Sequence, residues 1–221
     1  MTDRWNVAAD LVVLVAVLLG MRWFRRPGAA RRGTLLAASA LVFAGALEVG
    51  RHAPQAPAMV LITLAVGSGA GWVTARRTNM AQIPAMVAVQ NGAGGLAAAL
   101  VSLAELTRAT PISRAVGLSA ALLGLLVGSA TFSGSMVAGA KLARLLKQAA
   151  AASPAVAWLV AGGFAATVAL AIAIPTAGDG LTRVYLVGGL GGFALRVGLL
   201  VSIRVGGADM PVLISLLNAL S

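Results

Sequence analysis

The sequence is dominated by long apolar runs, each long enough to cross a lipid bilayer as an α-helix. A membrane-spanning helix needs about 20 mostly apolar residues. The connections between the runs are short, so no part of the chain could form a soluble domain. The sequence therefore predicts an all-α, polytopic transmembrane helix bundle with seven full spans and the start of an eighth near Pro211. The predicted full spans are residues 5–24, 34–50, 57–75, 84–106, 113–140, 155–175 and 181–203.

The composition favours a lipid environment and argues against several other classes of protein. The chain is 59% hydrophobic and 10% charged, with a mean hydropathy of +0.93, whereas a soluble domain carries about 25% charged residues. Its net charge of +11 comes from basic clusters between apolar runs, which indicates membrane topology rather than nucleic-acid binding. Cysteine is absent and His52 is the single histidine, so thiolate chemistry is excluded and a histidine-based metal site is not expected.

Basic residues near the ends of the spans predict the orientation, because short cytoplasmic loops carry an excess of Lys and Arg. One set of alternate connections holds eleven basic residues and the opposite set holds five. The N-terminus is therefore expected outside, and the turn "RVGGADMP" (204–211) on the cytoplasmic side. The larger set is Arg22, Arg25, Arg26, Arg31, Arg32, Arg76, Arg77, Lys141, Arg144, Lys147 and Arg204; the smaller set is Arg4, Arg51, Arg108, Arg114 and Arg183.

Small and polar residues recur at steps of three and four in three of the spans, which places them on one side of each helix. Such stripes are typical of interfaces where helices pack closely, and most of their members need no further role. Asn91 and Asn218 differ, because an amide is costly to bury in a membrane without partners. The stripes are Asn91, Gly94, Gly95, Ala98, Ser102 and Glu105; Gly117, Ala121, Gly124, Gly128, Thr131, Ser135 and Gly139; and Pro211, Ser215 and Asn218.

The depths of the two amides in the membrane are a second reason to single them out. At a rise of 1.5 Å per residue, Asn91 lies roughly 10 Å from Pro84, Ser135 about 9 Å from Lys141, and Asn218 roughly 13 Å from Asp209. Three polar groups on three helices thus fall at similar depth, and we predict that they converge on a small water-containing site. Asp209 directly precedes the eighth helix, where a carboxylate complements the helix dipole.

Two glycine patterns match the GxGxxA form of a dinucleotide-binding fingerprint, "GAGGLA" (92–97) and "GLGGFA" (189–194). That fingerprint requires a preceding strand and a helix N-terminus in water. Both patterns lie inside apolar helical runs, so we reject nucleotide binding at either of them.

Three blocks of the sequence resemble one known family. The blocks "NMAQIPAMVAVQNGAGGLAAALVSLAEL" (79–106), "TFSGSMVAGAKL" (131–142) and "GGADMPVLISLLN" (206–218) are similar to the membrane part of the proton-translocating NAD(P) transhydrogenase beta subunit. The resemblance implies a bacterial inner-membrane complex of alpha and beta subunits, assembled as a dimer. It also implies coupling of inward proton movement to hydride transfer from NADH to NADP+. The NAD(H) domain would belong to the alpha subunit and the NADP(H) domain to the C-terminal part of beta.

The resemblance also assigns residues to roles. Asn218 matches the family's channel asparagine, Ser135 a channel-lining serine, and Asp209 the acidic residue near the junction with the NADP-binding domain. Asn91 stands where many members of the family have a protonatable histidine, and an amide cannot titrate near pH 7. We therefore expect a helix of the alpha subunit to supply the titrating group while Asn91 helps to hold water.

Residues 1–221 are accordingly expected to form the transmembrane proton-translocation domain, without the rest of span eight, a ninth span or the NADP-binding domain. No catalytic, cofactor-binding or metal-binding residue is expected among them, and the chain alone is expected to be catalytically inactive. Two other hypotheses stay open on the sequence. One is a secondary transporter for a small solute or ion, although no internal repeat is evident. The other is a structural membrane subunit whose polar residues only join helices.

Overall fold

The computed structural model describes residues 2–52, 57–108, 115–146, 154–176, 180–205 and 209–220, and these residues form α-helices without a β-strand among them. The predicted all-α class is confirmed. Two short 3-10 turns, Met80–Gln82 and Ile174–Thr176, precede the fourth helix and follow the sixth. The helices are α1 (Thr2–Phe24), α2 (Ala30–His52), α3 (Pro57–Arg77), α4 (Ile83–Leu106), α5 (Ala115–Leu142), α6 (Pro154–Ala173), α7 (Leu181–Arg204) and α8 (Met210–Leu220).

Seven helices, α1 to α7, are long and apolar enough to cross a membrane, so the predicted number of full spans is confirmed. The second helix is longer than the predicted run 34–50, because it continues through Arg31 and Arg51 beyond its apolar centre. The last helix, α8, has 11 residues and matches the predicted start of an eighth span. Three features used in the sequence analysis lie outside the described residues: Arg114, Lys147 and the segment 206–208.

By its contacts the chain divides into two compact units, Met1–Val73 and Thr74–Ser221. In the first unit, α1 and α2 pack closely because glycines meet between them: a Cβ atom on Gly33 would lie 2.5 Å from the carbonyl oxygen of Gly20. Elsewhere on the same pair, Arg51 forms an ion pair with Asp10 at 2.8 Å and donates to the carbonyl oxygen of Asn6 at 3.0 Å.

In the second unit, α5 contacts α4, α7 and α8, and α6 packs against α7. The backbones of α4 and α5 touch, since a Cβ atom on Gly95 would lie 2.8 Å from the carbonyl oxygen of Gly128. The approach of α7 to α5 is equally close at Gly198, where a Cβ atom would overlap the carbonyl oxygen of Ala130. Within lipid, close packing of this kind replaces the hydrophobic effect as the force that joins helices.

Two apolar clusters fill the interior of the second unit. The smaller one joins three helices through Ala88 of α4, Ala138 of α5 and Ile214 of α8, and thereby fixes α8 against α4 and α5. Large apolar side chains on the outside of the unit, such as Trp158 and Tyr185, are exposed, as expected of surfaces that face lipid. The larger cluster consists of Ala99, Leu106, Ala121, Leu125, Ile174, Val187 and Leu190.

Candidate functional site

A cavity of about 660 Å³ lies between α4, α5 and α8. Three polar members of the predicted stripes face it, Asn91 of α4 and Ser215 and Asn218 of α8, among aliphatic side chains. Among its lining residues there is no charged side chain, so the cavity offers amide and hydroxyl groups that can hydrogen-bond water. The lining residues are Pro84, Val87, Gln90, Asn91 and Gly94 of α4, Leu142 of α5, and Ile214, Ser215 and Asn218 of α8.

Asn91 connects the cavity to the interior of the α4–α5 interface. Its side-chain Nδ2 donates a hydrogen bond to Oγ of Ser135 at 3.0 Å. Ser135 is fully buried, whereas Asn91 is half-buried and reaches the cavity. A carboxamide has two N–H donors and one carbonyl acceptor, so the bond to Ser135 leaves Asn91 able to hydrogen-bond water in the cavity as well.

Asn218 approaches the same cavity from α8. It is exposed and lies one turn after Ser215, which also lines the cavity. The structure brings the three predicted residues near one another: Asn91 and Asn218 line one cavity, and Ser135, which is not among its lining residues, is bonded to Asn91. The convergence follows from matching depths on three helices, but the roles of these residues in moving protons stay predictions.

Beyond Ser135, the interface between α4 and α5 remains polar for one further turn and then closes. Thr131 is fully buried, and its Oγ1 has no hydrogen-bond partner among the described residues. A Cβ atom on Gly95 would lie 2.9 Å from the Cβ of Thr131 and 2.8 Å from the carbonyl oxygen of Gly128. The polar groups thus run from the cavity through Asn91 and Ser135 to Thr131, where the touching backbones interrupt them. The next polar side chain along α4, buried Ser102, lies beyond this contact.

Asp209 lies apart from this cavity. It is exposed, directly precedes α8, and is not among the residues that line the cavity. Its place at the N-terminus of α8 agrees with the expectation that it complements the helix dipole. Its proposed part in coupling stays a prediction.

Two residues near the site were not identified from the sequence. Gln90 lines the cavity beside Asn91 and lies four residues before Gly94, yet the sequence analysis did not count it in the stripe on α4. Lys141 was grouped with the basic connections, whereas the structure places it in the last turn of α5 with 4% of its surface exposed. Gln90 could have been found from the sequence, because it is a polar residue inside an apolar helix. Nothing in the sequence indicates that Lys141 is buried.

The described residues contain no group of three or more His, Cys, Asp or Glu side chains that could hold a metal ion. Both GxGxxA patterns lie within helices, the first in α4 and the second in α7, and neither begins a helix. The chemistry within reach of the cavity is therefore hydrogen bonding by neutral amides and hydroxyls.

Seven helices long and apolar enough to cross a bilayer, with polar side chains facing a cavity between three helices of the second unit, define a multi-pass helical membrane protein. Comparison with known proteins narrows this class. A sequence model of the NAD(P) transhydrogenase beta subunit matches residues 6–221. The chain therefore belongs to the NAD(P) transhydrogenase beta subunit family, and it is a multi-pass membrane protein.

Individual relatives agree with this assignment. Two proteins, both named NAD(P) transhydrogenase subunit beta and both from Rhodospirillum rubrum, are each 32% identical to this chain over 240 aligned residues. The alignment covers 100% of this chain and 48% of each relative. The chain thus spans about half the length of the curated relatives it matches.

Proposed function

We propose that residues 1–221 form the membrane proton-translocation domain of a transhydrogenase that couples inward proton movement to hydride transfer from NADH to NADP+. The observation that carries this proposal is the cavity that Asn91 and Asn218 share in a member of this family, with Asn91 bonded to buried Ser135. Neutral polar groups around a cavity at membrane depth can hold the water that a moving proton requires.

Each residue has a distinct part in the proposal. Ser135 accepts a hydrogen bond from Asn91 and thereby orients its amide, while Asn218 holds water on the opposite wall formed by α8. None of the described side chains that line the cavity titrates near pH 7, because amides and hydroxyls keep their protons there. The titrating group of the pathway would therefore come from a helix of the alpha subunit.

Asp209 is proposed to couple the membrane domain to a nucleotide-binding domain. It is exposed at the start of α8, nine residues before Asn218 and on the same helix end that the charge bias assigns to the cytoplasm. A movement of the nucleotide domain against Asp209 would be transmitted along α8 to the cavity, since a helix is rigid over this length.

The partners and location follow from the family and stay proposals. We infer an alpha subunit, a dimeric alpha–beta assembly, and a bacterial inner membrane with the N-terminus outside. NAD(H) and NADP(H) would bind to other parts of the full complex, and residues 1–221 would be inactive in hydride transfer by themselves.

The proposal is tested with the beta subunit in its full encoded length, purified with its alpha subunit and reconstituted into vesicles. We expect NADH to reduce an NADP+ analogue, and an uncoupler to abolish the acceleration by an inward proton gradient. Asn91→Leu should lower proton uptake about tenfold, as expected when a hydrogen-bonding group is removed from a polar site. Val101→Leu, at an exposed position of the same helix, is the matched control.

A second candidate is a small-solute transporter, which the cavity volume of about 660 Å³ would accommodate. A complex that transfers no hydride, but takes up a solute in an Asn91-dependent way, would favour the transporter. Loss of neither activity in Asn91→Leu would leave only a structural part for this residue.

A further inference from the structure

The buried ammonium group of Lys141 holds the end of α7. Its Nζ donates hydrogen bonds to three backbone carbonyl oxygens: that of Ser202 at 2.9 Å, of Ile203 at 2.7 Å and of Val205 at 2.8 Å. Lys141 belongs to α5, and its three acceptors lie at the C-terminal end of α7. The side chain therefore bridges two helices, and its acceptors lie more than 60 residues after Lys141 in the sequence.

The three hydrogen bonds satisfy the whole hydrogen-bonding capacity of the Lys141 ammonium group. An ammonium has three N–H donors and no acceptor, and all three donors are in use. The acceptors belong to the last turn of a helix, where carbonyls have no partner within the helix and carry its negative dipole. Among the described residues no carboxylate forms an ion pair with Lys141, so this is a cap of a helix end rather than a salt bridge.

The capped end of α7 is connected to the candidate site by packing. Val205, whose carbonyl accepts from Lys141, packs against the cluster of Ala88, Ala138 and Ile214. Ile214 also lines the cavity, and so does Leu142, the neighbour of Lys141 on α5. The chain runs from Val205 to Asp209 and α8 within four residues. Fixing Val205 therefore limits where α8 can begin.

We propose that Lys141 is a positioning residue for proton translocation: it fixes the end of α7 and thereby places α8, with Asn218, opposite Asn91. The inference rests on the proposed function. When the three bonds are lost, the end of α7 at Val205 is free to move, and the two walls of the cavity no longer keep a fixed separation.

Lys141 could alternatively carry the proton itself, and its contacts argue against this role. A lysine that releases a proton keeps two N–H donors and gains a lone pair, which would face a carbonyl oxygen in this geometry. Arginine distinguishes the two roles. Its guanidinium can donate to the same carbonyls but does not deprotonate in proteins.

The test uses the full complex in vesicles, with Lys141→Met, Lys141→Arg and, as matched control, Arg204→Met at an exposed position of the same end of α7. The first readout is the ratio of protons taken up to NADP+ analogue reduced. We expect Lys141→Met to lower it about tenfold, the factor expected for losing hydrogen bonds to a charged group. Lys141→Arg and Arg204→Met should remain within about twofold of the wild-type ratio, because each keeps a cation on the α7 carbonyls.

The second readout does not depend on activity. Residues 1–221 contain no cysteine, so spin labels can be placed on exposed Leu145, after α5, and exposed Leu216 of α8. We expect Lys141→Met to broaden the distance distribution between the labels, and Lys141→Arg to keep the wild-type width. Should Lys141→Met not accumulate, Lys141→Gln replaces it with the same expected direction, because an amide can make at most two of the three bonds.

Three outcomes decide the inference. A Lys141→Met variant with wild-type coupling and a wild-type distance distribution overturns it. Loss of coupling in Lys141→Arg as complete as in Lys141→Met, with unchanged distances in both, also overturns it and favours a proton carrier. A wild-type complex without hydride transfer refutes the proposed function alone, and the distance distributions then still decide whether Lys141 positions α8.

Discussion

The α1–α2 pair and the α4–α5 pair are built on the same packing device, yet only the second has the features of a functional site. In both pairs glycines let two backbones touch, at Gly20 and Gly33 in the first and at Gly95 and Gly128 in the second. The polar contact of the first pair is an ion pair between Asp10 and Arg51 with the Asp10 side chain 60% exposed. The second pair instead carries a partly buried amide–hydroxyl bond beside a cavity.

Close glycine packing alone therefore does not mark a functional site. Such packing is a general means of joining helices in lipid. The site requires a side chain with spare hydrogen-bonding capacity, supplied by Asn91, and a third helix that leaves space beside it, supplied by α8. Each of the following substitutions alters a glycine contact or a polar contact of one of the two pairs.

The largest effect is expected from crowding the glycine contacts. A Cβ atom at position 128 would lie 2.6 Å from the carbonyl oxygen of Gly95, so Gly128→Ala should destabilise the protein by about 2 kcal/mol in thermal unfolding in detergent. Gly33→Ala should do the same for the α1–α2 pair, but only Gly128→Ala should also reduce proton uptake. Gly45→Ala, where a Cβ atom meets nothing within 4 Å, is the control. Equal stability of Gly128→Ala and Gly45→Ala would contradict the close contact between α4 and α5.

The next largest effect is expected at position 91, where the family resemblance implies a histidine in many members. Asn91→His introduces a group that titrates near pH 6.5 into a cavity otherwise lined by neutral side chains. Its protonated fraction changes about tenfold for each pH unit on the alkaline side. Proton uptake by the variant should therefore gain an inflection within about one unit of pH 6.5 relative to the wild type. Superimposable pH profiles of the two proteins would show that position 91 does not contact the moving proton.

The spans and the meeting of Asn91, Ser135 and Asn218 could be predicted because both depend on one-dimensional quantities. Span length follows from bilayer thickness, and depth follows from the rise per residue. The cap by Lys141 could not be predicted in this way. Its acceptors are backbone carbonyls of α7 that lie more than 60 residues after Lys141 in the sequence. Every residue has a carbonyl group, so the sequence does not distinguish which of them receive a lysine.

A smaller effect is expected from removing the acceptor of Asn91. Ser135→Ala deletes the hydroxyl at 3.0 Å from Asn91 Nδ2 without adding volume, and interhelical hydrogen bonds in membranes contribute about 0.6 kcal/mol on average. We expect a comparable loss of stability and a reduction of proton uptake of about threefold, because Asn91 loses its fixed orientation. The counterpart is Ser39→Ala in α2, whose hydroxyl bonds only the carbonyl of Leu36 in its own helix. An equal effect of both substitutions on uptake would exclude a specific part for Ser135.

The smallest effect is expected from the ion pair of the α1–α2 pair. Asp10→Asn removes one charge from a contact whose aspartate side chain is 60% exposed, and exposed ion pairs contribute only a few tenths of a kcal/mol. Unfolding in detergent should shift by this amount at low salt and by less in about 1 M salt, where the screening length falls to roughly 3 Å, comparable to the 2.8 Å separation of the pair. Proton uptake should be unchanged, because Asp10 does not line the cavity. A loss of uptake as large as that in Asn91→Leu would mean that the polar contact between α1 and α2 is functional, and the contrast between the two pairs would then be wrong.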